Sequence, residues 1–567
     1  MMVARPLGWC FGCGQGESPG CLVAHRFSCR SLNVHSMNSF GRRRRRLLKL
    51  GVGTIAAAGF GALAPIVGHA ARGTAVRPPE TFAFDAPPLA VGDLRGDGAV
   101  LWSRADRPAR MEVRWGTTAT LVDARDLPRV HALTDSDLTA KLVLSDLPQD
   151  QTIVYEVSFR DLDTGRPVGA PALGSFRTPP SKRRDLRFLW SGDTVGQGWG
   201  INPDVGGMRI YDAMLATDPD FFINSGDTIY ADGPVEAQVA LPDGSLWRNL
   251  VTEAKSKVAE TLDEYRGQYR YNLLDGPYRR FHAQVPVFAQ WDDHEVTNNW
   301  YPGKRLDTDA RYSEKSVDLL AARAMRAFQD YQPVRLHPLD PERLFDSFAY
   351  GPSLEVFRLD LRSYRGPNTD EQATRADAST AILGARQLQW LKTALAKSTA
   401  TWKIIACDMP LGVVIPDDFR TGRGAEGVAL RDGVPAGREL EIAELLTFIR
   451  DQDLRNLVWL TADVHYTAAH YYDPARARYD RFNPFWEFVS GPLNSGTFGP
   501  NRLDDTFGPQ LVYQRVPPAG QVNLSPKAGL QFFGQVDLDG DTEQLTVRLK
   551  NAQGETLFMQ RLDPDLS

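Results

Sequence analysis

Cysteine is scarce in this chain: there are five in 567 residues, and four of them (Cys10, Cys13, Cys21 and Cys29) fall before residue 37. A chain starting at Met37 keeps only Cys407, which excludes an internal disulfide and leaves stability to core burial. Basic excess is absent too. The 65 Lys and Arg are outnumbered by 70 Asp and Glu, and a net charge of −5 argues against a nucleic-acid partner, which needs a basic footprint. After residue 70 there is no internal repeat, no low-complexity tract and no apolar run long enough to stay in a bilayer, so no stable membrane span is expected in the mature form. What remains, 42% hydrophobic and 10% aromatic residues, describes a globular protein whose length favours two domains.

The N-terminus reads as an address. Met37 to Ala70 holds Arg42 to Arg46, then Leu47-Leu48-Lys49, an apolar Gly/Ala-rich run, and the small-x-small pattern Gly68-His69-Ala70. The order Arg44-Arg45-Arg46-Leu47-Leu48-Lys49 resembles a twin-arginine signal, which implies the twin-arginine export machinery as a partner and a periplasmic or secreted destination. An uncleaved anchor is the competing reading. Residues 1–36 are expected to be a mis-assigned start or a disordered extension. With His25 their cysteines could be read as a zinc knuckle, but a folded metal site ahead of an export signal has no obvious use.

Residues 80–178 alternate in short strands (Ala99 to Trp102, Met111 to Trp115, Ala140 to Leu144, Thr152 to Phe159), the pattern of a small antiparallel β-sandwich of fibronectin III type. Phe176 to Arg184 reads as a linker. From 185 to 567 strands alternate with helical patterns such as Ser316 to Tyr331 and Ala385 to Ala396, which predicts a layered α/β domain. Pro286 lacks a ladder donor, so the run around it begins a strand there or lies where no partner needs that N–H. Segments 232–280 and 300–345, which lie between the candidate ligand strands, are expected to form helices and loops that roof the site.

The densest chemistry is Gln290 to Asn299 (QWDDHEVTNN), directly behind the apolar run Val285 to Ala289. Acids that close together repel and are costly to bury, so a polyvalent cation is the reason to gather them. Three further apolar runs end in acid or histidine: Leu186 to Thr194, Phe221 to Asp232 and Leu457 to Tyr466. A single Asp after a strand is most often a helix cap or turn residue. Four such ends converging on one crevice at the carboxyl edge of a sheet are a metal site. Bound metals would also reverse the local sign of an acidic protein, so a phosphate substrate is compatible with the charge.

The order of these residues resembles the two-metal phosphoesterases: Asp193, then Gly226-Asp227, Asp293-His294-Glu295, Asp408 and Asp463-Val464-His465. Gly226-Asp227-Thr228-Ile229-Tyr230 is similar to the Gly-Asp-x-x-Tyr of purple acid phosphatases, in which tyrosinate binds ferric iron. The closer resemblance is to the alkaline phosphatase D family, carried by Trp291 to Glu295 with Asn298-Asn299, the Gly-Asp-x-Ile-Tyr turn, Leu359 to Tyr364 and Ser490 to Leu493. That family implies a metallophosphoesterase-type layered α/β domain behind a β-sandwich. It also implies hydrolysis of phosphomonoesters and phosphodiesters by a metal-activated hydroxide or oxo group, at a site holding Fe3+ and Ca2+. On this chain the resemblance assigns Asp193, Asp227, Tyr230 and His465 to iron and Asp293, Asp408 and Asp463 to calcium, with Asp227 bridging. Carboxylates are hard ligands and suit calcium better than zinc.

The family usually has Cys where this chain has Gly192, with Asp193 one place later, so the first iron ligand is either rebuilt as carboxylate or lost. Asn224 stands where many members carry His. Cys407 reads as a buried strand residue. His294 is a candidate to protonate the leaving oxygen or hold phosphate, or else the partner of a carboxylate ligand. Arg362 could clamp phosphate or form a structural ion pair. Asp292 is a third calcium ligand or the acid orienting His294, Asn298 is a possible additional ligand, and Asp232 and His470 are supporting groups at most. The substrate expected is a small-molecule or lipid phosphate ester. A phospholipase D-like diesterase is the rival within the enzymes, and a surface-binding protein with a degenerate hydrolase domain is the rival outside them.

Overall fold

The strand Leu186–Ser191 shows how the architecture arises. Phe188 and Trp190 point into one core while Leu189 between them points into another, and all three are fully buried. Phe221 and Ile223 repeat this with Phe222, as do Val458 and Leu460 with Trp459. Continuous apolar runs of this kind are strands covered on both faces, and such strands are parallel. The computed structural model, which describes residues 84–370 and 373–566, bears this out. The segments expected to be an extension, 1–36, and an export signal, 37–70, lie outside the described residues.

Two sheets face each other across the shared core. In the nine-stranded sheet the order is Thr556–Leu562, Leu545–Asn551, Phe532–Leu538, Leu186–Ser191, Phe221–Asn224, Val287–Ala289, Leu89–Arg95, Gly98–Arg104 and Thr139–Leu144. In the seven-stranded sheet it is Asp346–Ala349, Leu354–Arg358, Trp402–Ala406, Leu457–Thr461, Phe485–Val489, Thr467–Tyr472 and Pro509–Arg515. Helices Ile210–Leu215, Leu262–Asn272, Gly276–His282 and Val317–Tyr331 cover the outer face of the first sheet, and Gly384–Lys397 and Glu439–Asp451 that of the second. In segments 232–280 and 300–345 the helices cover the back of the sheet, while in the intervening loops Asp232, braced by Arg311, and Lys304 lie against the turn that carries His294 to Asn299. The strand after Pro286 begins at Val287, so the missing donor is never needed, and the Pro286 carbonyl accepts from the Phe222 amide.

The N-terminal part is a β-sandwich, and one of its two sheets is a continuation of the nine-stranded sheet. Gly92 pairs with Val287, and a Cβ at Gly92 would sit 2.5 Å from the Val287 carbonyl, so only glycine allows this approach. Facing it is a five-stranded sheet built on Ala109–Gly116, Thr152–Asp161 and Pro167–Arg177. The buried Asp93 ties the parts together, accepting from Arg358 at 3.2 Å and from the Arg335 amide at 2.7 Å. No helix among the described residues is long and apolar enough to cross a membrane.

Candidate metal centre

The site forms where parallel strands of both sheets end. Asn224 is in register with Ser191 and Ala289 on either side, and Ala406 with Arg358 and Leu460, so the residues that follow emerge level with one another. Each chain then turns sharply, and Asp193, Asp227, Asp463 and His465 adopt left-handed backbone with φ of 61°, 47°, 67° and 59°. Gly226 lets two turns touch, since a Cβ there would lie 2.5 Å from that of Asp292. Gln290 spans the sheets by donating to the carbonyls of Leu359 and Ala406 at 3.0 and 3.1 Å. Glu295 locks the turns by accepting from the amides of Asp227, Thr228 and Asp292, and burial pushes its carboxyl up to about 7.

Two buried groups of donor atoms result. Asp193, Asp227 and His465 each place one donor within 4.8 Å of the others, and so do Asp227, Asp293 and His294. Asp227 belongs to both. His465 donates from Nδ1 to the Gly496 carbonyl, leaving Nε2 free to accept from Tyr230 2.9 Å away and to face Asp193 at 3.7 Å. Burial pulls this imidazole down to about 4, so it is neutral, as a ligand must be. Tyr230 is buried with its ring stacked 4.2 Å from that of His294, and burial, Asp227 and Asp193 all hold its hydroxyl well above the usual range.

His294 takes its orientation from Asp232, not Asp292: its Nδ1 lies 2.6 Å from Asp232 Oδ1, while Nε2 faces Asp293 at 3.8 Å and Gln197 at 3.4 Å. Burial disfavours its charge, but Asp232 and Asp293 outweigh that and raise it to about 9. Asp292 instead pairs with Arg362, which is fully buried, also bound to Glu426, and 3.7 and 3.8 Å from Asp408 and Asp463. The three residues assigned to calcium thus divide: Asp293 joins the His294 group, and Asp408 and Asp463 surround Arg362. Asn298 is exposed and contributes its amide to Asp232. Asn224 braces the Gly226 amide. His470 pairs with Glu487, and Glu487 also accepts from the Leu411 amide just beyond Asp408.

Whether these residues fit a metal is answered by their unpaired atoms. Asp193 Oδ2, Asp292 Oδ2, Asp293 Oδ1 and both oxygens of Asp408 are buried and accept no hydrogen bond. Burial and then neighbouring carboxylates, chiefly Asp292 or Asp293, push Asp193, Asp227, Asp408 and Asp463 well above the usual carboxylate range. So many orphaned carboxylate oxygens at one place are stable only beside cations. Gly491 leaves room for the Asp193 carboxylate, since a Cβ there would lie 2.1 Å from Oδ2. The buried Cys407 thiol points at the Met409 carbonyl in the outer core of the second sheet, away from both donor groups.

Sequence reasoning missed Gln197 and Glu426 and undervalued Asp232. Gln197 lies in a Gly-rich turn, Gly196 to Gly200, that signals a close approach; Glu426 is a lone acid in a loop and carries no local signal.

The helix, sheet, sheet, helix layering with acids and histidines at the strand ends is a fold that this protein shares with PhoD and with a purple acid phosphatase. The structure of PhoD superposes with a TM-score of 0.62 at 18% identity, covering 86% of this chain and 91% of that one. The purple acid phosphatase PPD1 of yellow lupin (Lupinus luteus) superposes with 0.51 at 12% identity, covering 85% and 74%. The PhoD-like phosphatase pattern matches residues 188–549 and its N-terminal domain pattern residues 79–180, and the chain belongs to this family. Alkaline phosphatase D of Bacillus subtilis (strain 168) is 30% identical over 310 residues, spanning 52% of this chain and only half, 50%, of that protein.

Proposed function

We propose that the protein is an exported, metal-dependent phosphoric ester hydrolase. The observation that carries this reading is the sharing of Asp227 by two donor groups that both contain orphaned carboxylate oxygens. Asp193, Asp227, Tyr230 and His465 would hold the ferric ion. Asp227 and Asp293 would hold calcium, with Asp408, Asp463 or Asp292 completing its oxygen set. When bound, such metals acidify water and neutralise charge on phosphoryl oxygens.

The chain's own residues do the rest. Asp232 fixes the His294 ring with Nε2 toward the site, where it can give a proton to the leaving oxygen or hold the phosphate. Arg362, pinned by Asp292 and Glu426, keeps positive charge among Asp408 and Asp463, and its Nη2, which makes no hydrogen bond and faces Asp463 at 3.8 Å, is the guanidinium donor left for a phosphate oxygen. Its complete burial makes the orientation rigid. The name of the curated relative, alkaline phosphatase, supports the same substrate class.

The test is elemental analysis of the purified mature protein with rates on a phosphomonoester and a phosphodiester. A calcium chelator is expected to abolish both rates and added calcium to restore them. Full activity in protein shown to be free of calcium and iron would overturn the reading.

A further inference from the structure

The turn from Gly196 to Gly200 lies against the metal centre and is held from several sides. A Cβ at Gly196 would sit 2.0 Å from the ring of Tyr230, so only glycine lets the turn rest on the ring that also stacks with His294. Two asparagines clasp its backbone. Asn249 accepts from the Gly200 amide at 2.7 Å and donates to the Gly198 carbonyl at 2.9 Å. Asn523 donates to the Gln197 carbonyl at 2.9 Å and accepts from the Trp199 indole at 2.9 Å.

Gln197, between two glycines, has a left-handed backbone with φ of 60°. Short Asp and Asn side chains tolerate that conformation by bonding their own backbone, but Gln197 makes no side-chain bond to its turn. The turn therefore has no use for this side chain, and glycine would suit the backbone better. Backbone strain of this kind persists where the side chain has a task. What the side chain meets is the free edge of His294. Asp232 engages Nδ1 of that ring at 2.6 Å, and Nε2 lies 3.4 Å from Gln197 Nε2, a long contact. One amide hydrogen can face the ring. The second, and Oε1, meet no protein group among the described residues, and Gln197 is only partly buried.

We infer that Gln197 is a substrate-binding residue whose amide donates to a phosphoryl oxygen held beside His294 Nε2. This deepens the hydrolase reading and rests on it. The clasped turn fixes the amide before substrate arrives, so little ordering is left to oppose the bond. A hydrogen bond to a charged oxygen is among the stronger ones, which offsets the strain kept at φ of 60°.

The test is calorimetric titration of the metal-loaded protein with inorganic phosphate, in the wild type, Gln197→Gly and Gln197→Glu, alongside their melting temperatures. Glycine suits the left-handed backbone, so Gln197→Gly deletes the side chain without straining the fold. Its melting temperature should be unchanged while its affinity for phosphate falls about tenfold or more. Gln197→Glu keeps the length but replaces the N–H donors by a carboxylate that repels phosphate, and should lose at least as much. Wild-type affinity in Gln197→Gly would overturn the inference, and a lowered melting temperature there would assign the side chain to holding the turn instead. Wild-type affinity in Gln197→Glu would make the side chain an acceptor that orients His294, which also overturns it. These outcomes leave the hydrolase reading standing, whereas a wild type that binds no phosphate would overturn both.

Discussion

At the scale of single residues, the shared position of Asp227 separates it from every other acid in the site. It lies in both donor groups, whereas Asp293 lies in one. Asp227→Asn should therefore lower the content of both metals and Asp293→Ala that of one, and metal-to-protein ratios on the purified variants check this. A second expectation concerns Tyr230, whose hydroxyl sits 2.9 Å from His465 Nε2. A phenolate on ferric iron gives visible colour that calcium cannot. The loaded protein should be coloured and Tyr230→Phe bleached while its circular dichroism is unchanged; a colourless, iron-free and fully active wild type would remove the ferric assignment.

At the scale of elements, helix Gly276–His282 ends in an imidazole packed among aromatic rings, with that of Tyr278 4.1 Å away, and its Nε2 has no partner. Burial alone pulls His282 from 6.5 down to about 3. A depressed pKa means the folded state refuses a proton that the unfolded chain accepts. The stability this group contributes is thus present above pH 6.5 and lost progressively as pH falls toward about 3, by as much as a few kcal/mol. His282→Phe should flatten that part of the acid limb, seen as a smaller drop in melting temperature between neutral and acidic buffer. An unchanged slope would place the acid sensitivity elsewhere.

At the scale of the whole molecule, the continuous nine-stranded sheet makes the N-terminal part a structural neighbour of the site. Strand Leu89–Arg95 flanks the strand that leads into Gln290 to Glu295, and Asp93 is the partner of the buried Arg358, which also donates to the Ala289 carbonyl. Removing one member of a buried pair typically costs about 3–5 kcal/mol. Deleting residues 84–178 should accordingly leave a fragment that is insoluble or lacks a cooperative unfolding transition. A soluble, cooperatively melting fragment of 185–567 would show that the shared sheet is dispensable.

Local pattern was enough for the parts of this protein that depend on neighbours in sequence. The helix expected over Ser316 to Tyr331 runs Val317–Tyr331 with Ser316 as its cap, and that expected over Ala385 to Ala396 runs Gly384–Lys397, because 3.6-residue periodicity and capping are properties of short segments. The acid-bearing strand ends were equally legible, since an apolar run closing on Asp or His needs no partner to be recognised. Which acids share a cation was not legible. Asp293 joining His294 while Asp408 and Asp463 gather around Arg362, Asp232 displacing Asp292 as the partner of His294, and Glu426 reaching Arg362 across 64 residues all depend on how two sheets are registered and spaced. The strand pairing of Gly92 with Val287, which joins the N-terminal strands to the rest of the nine-stranded sheet, is of the same kind. Sequence therefore determined the elements and the chemical inventory of the site, whereas tertiary structure alone decided the pairing of its charges, because Coulomb energies depend on distances that only the packed fold sets.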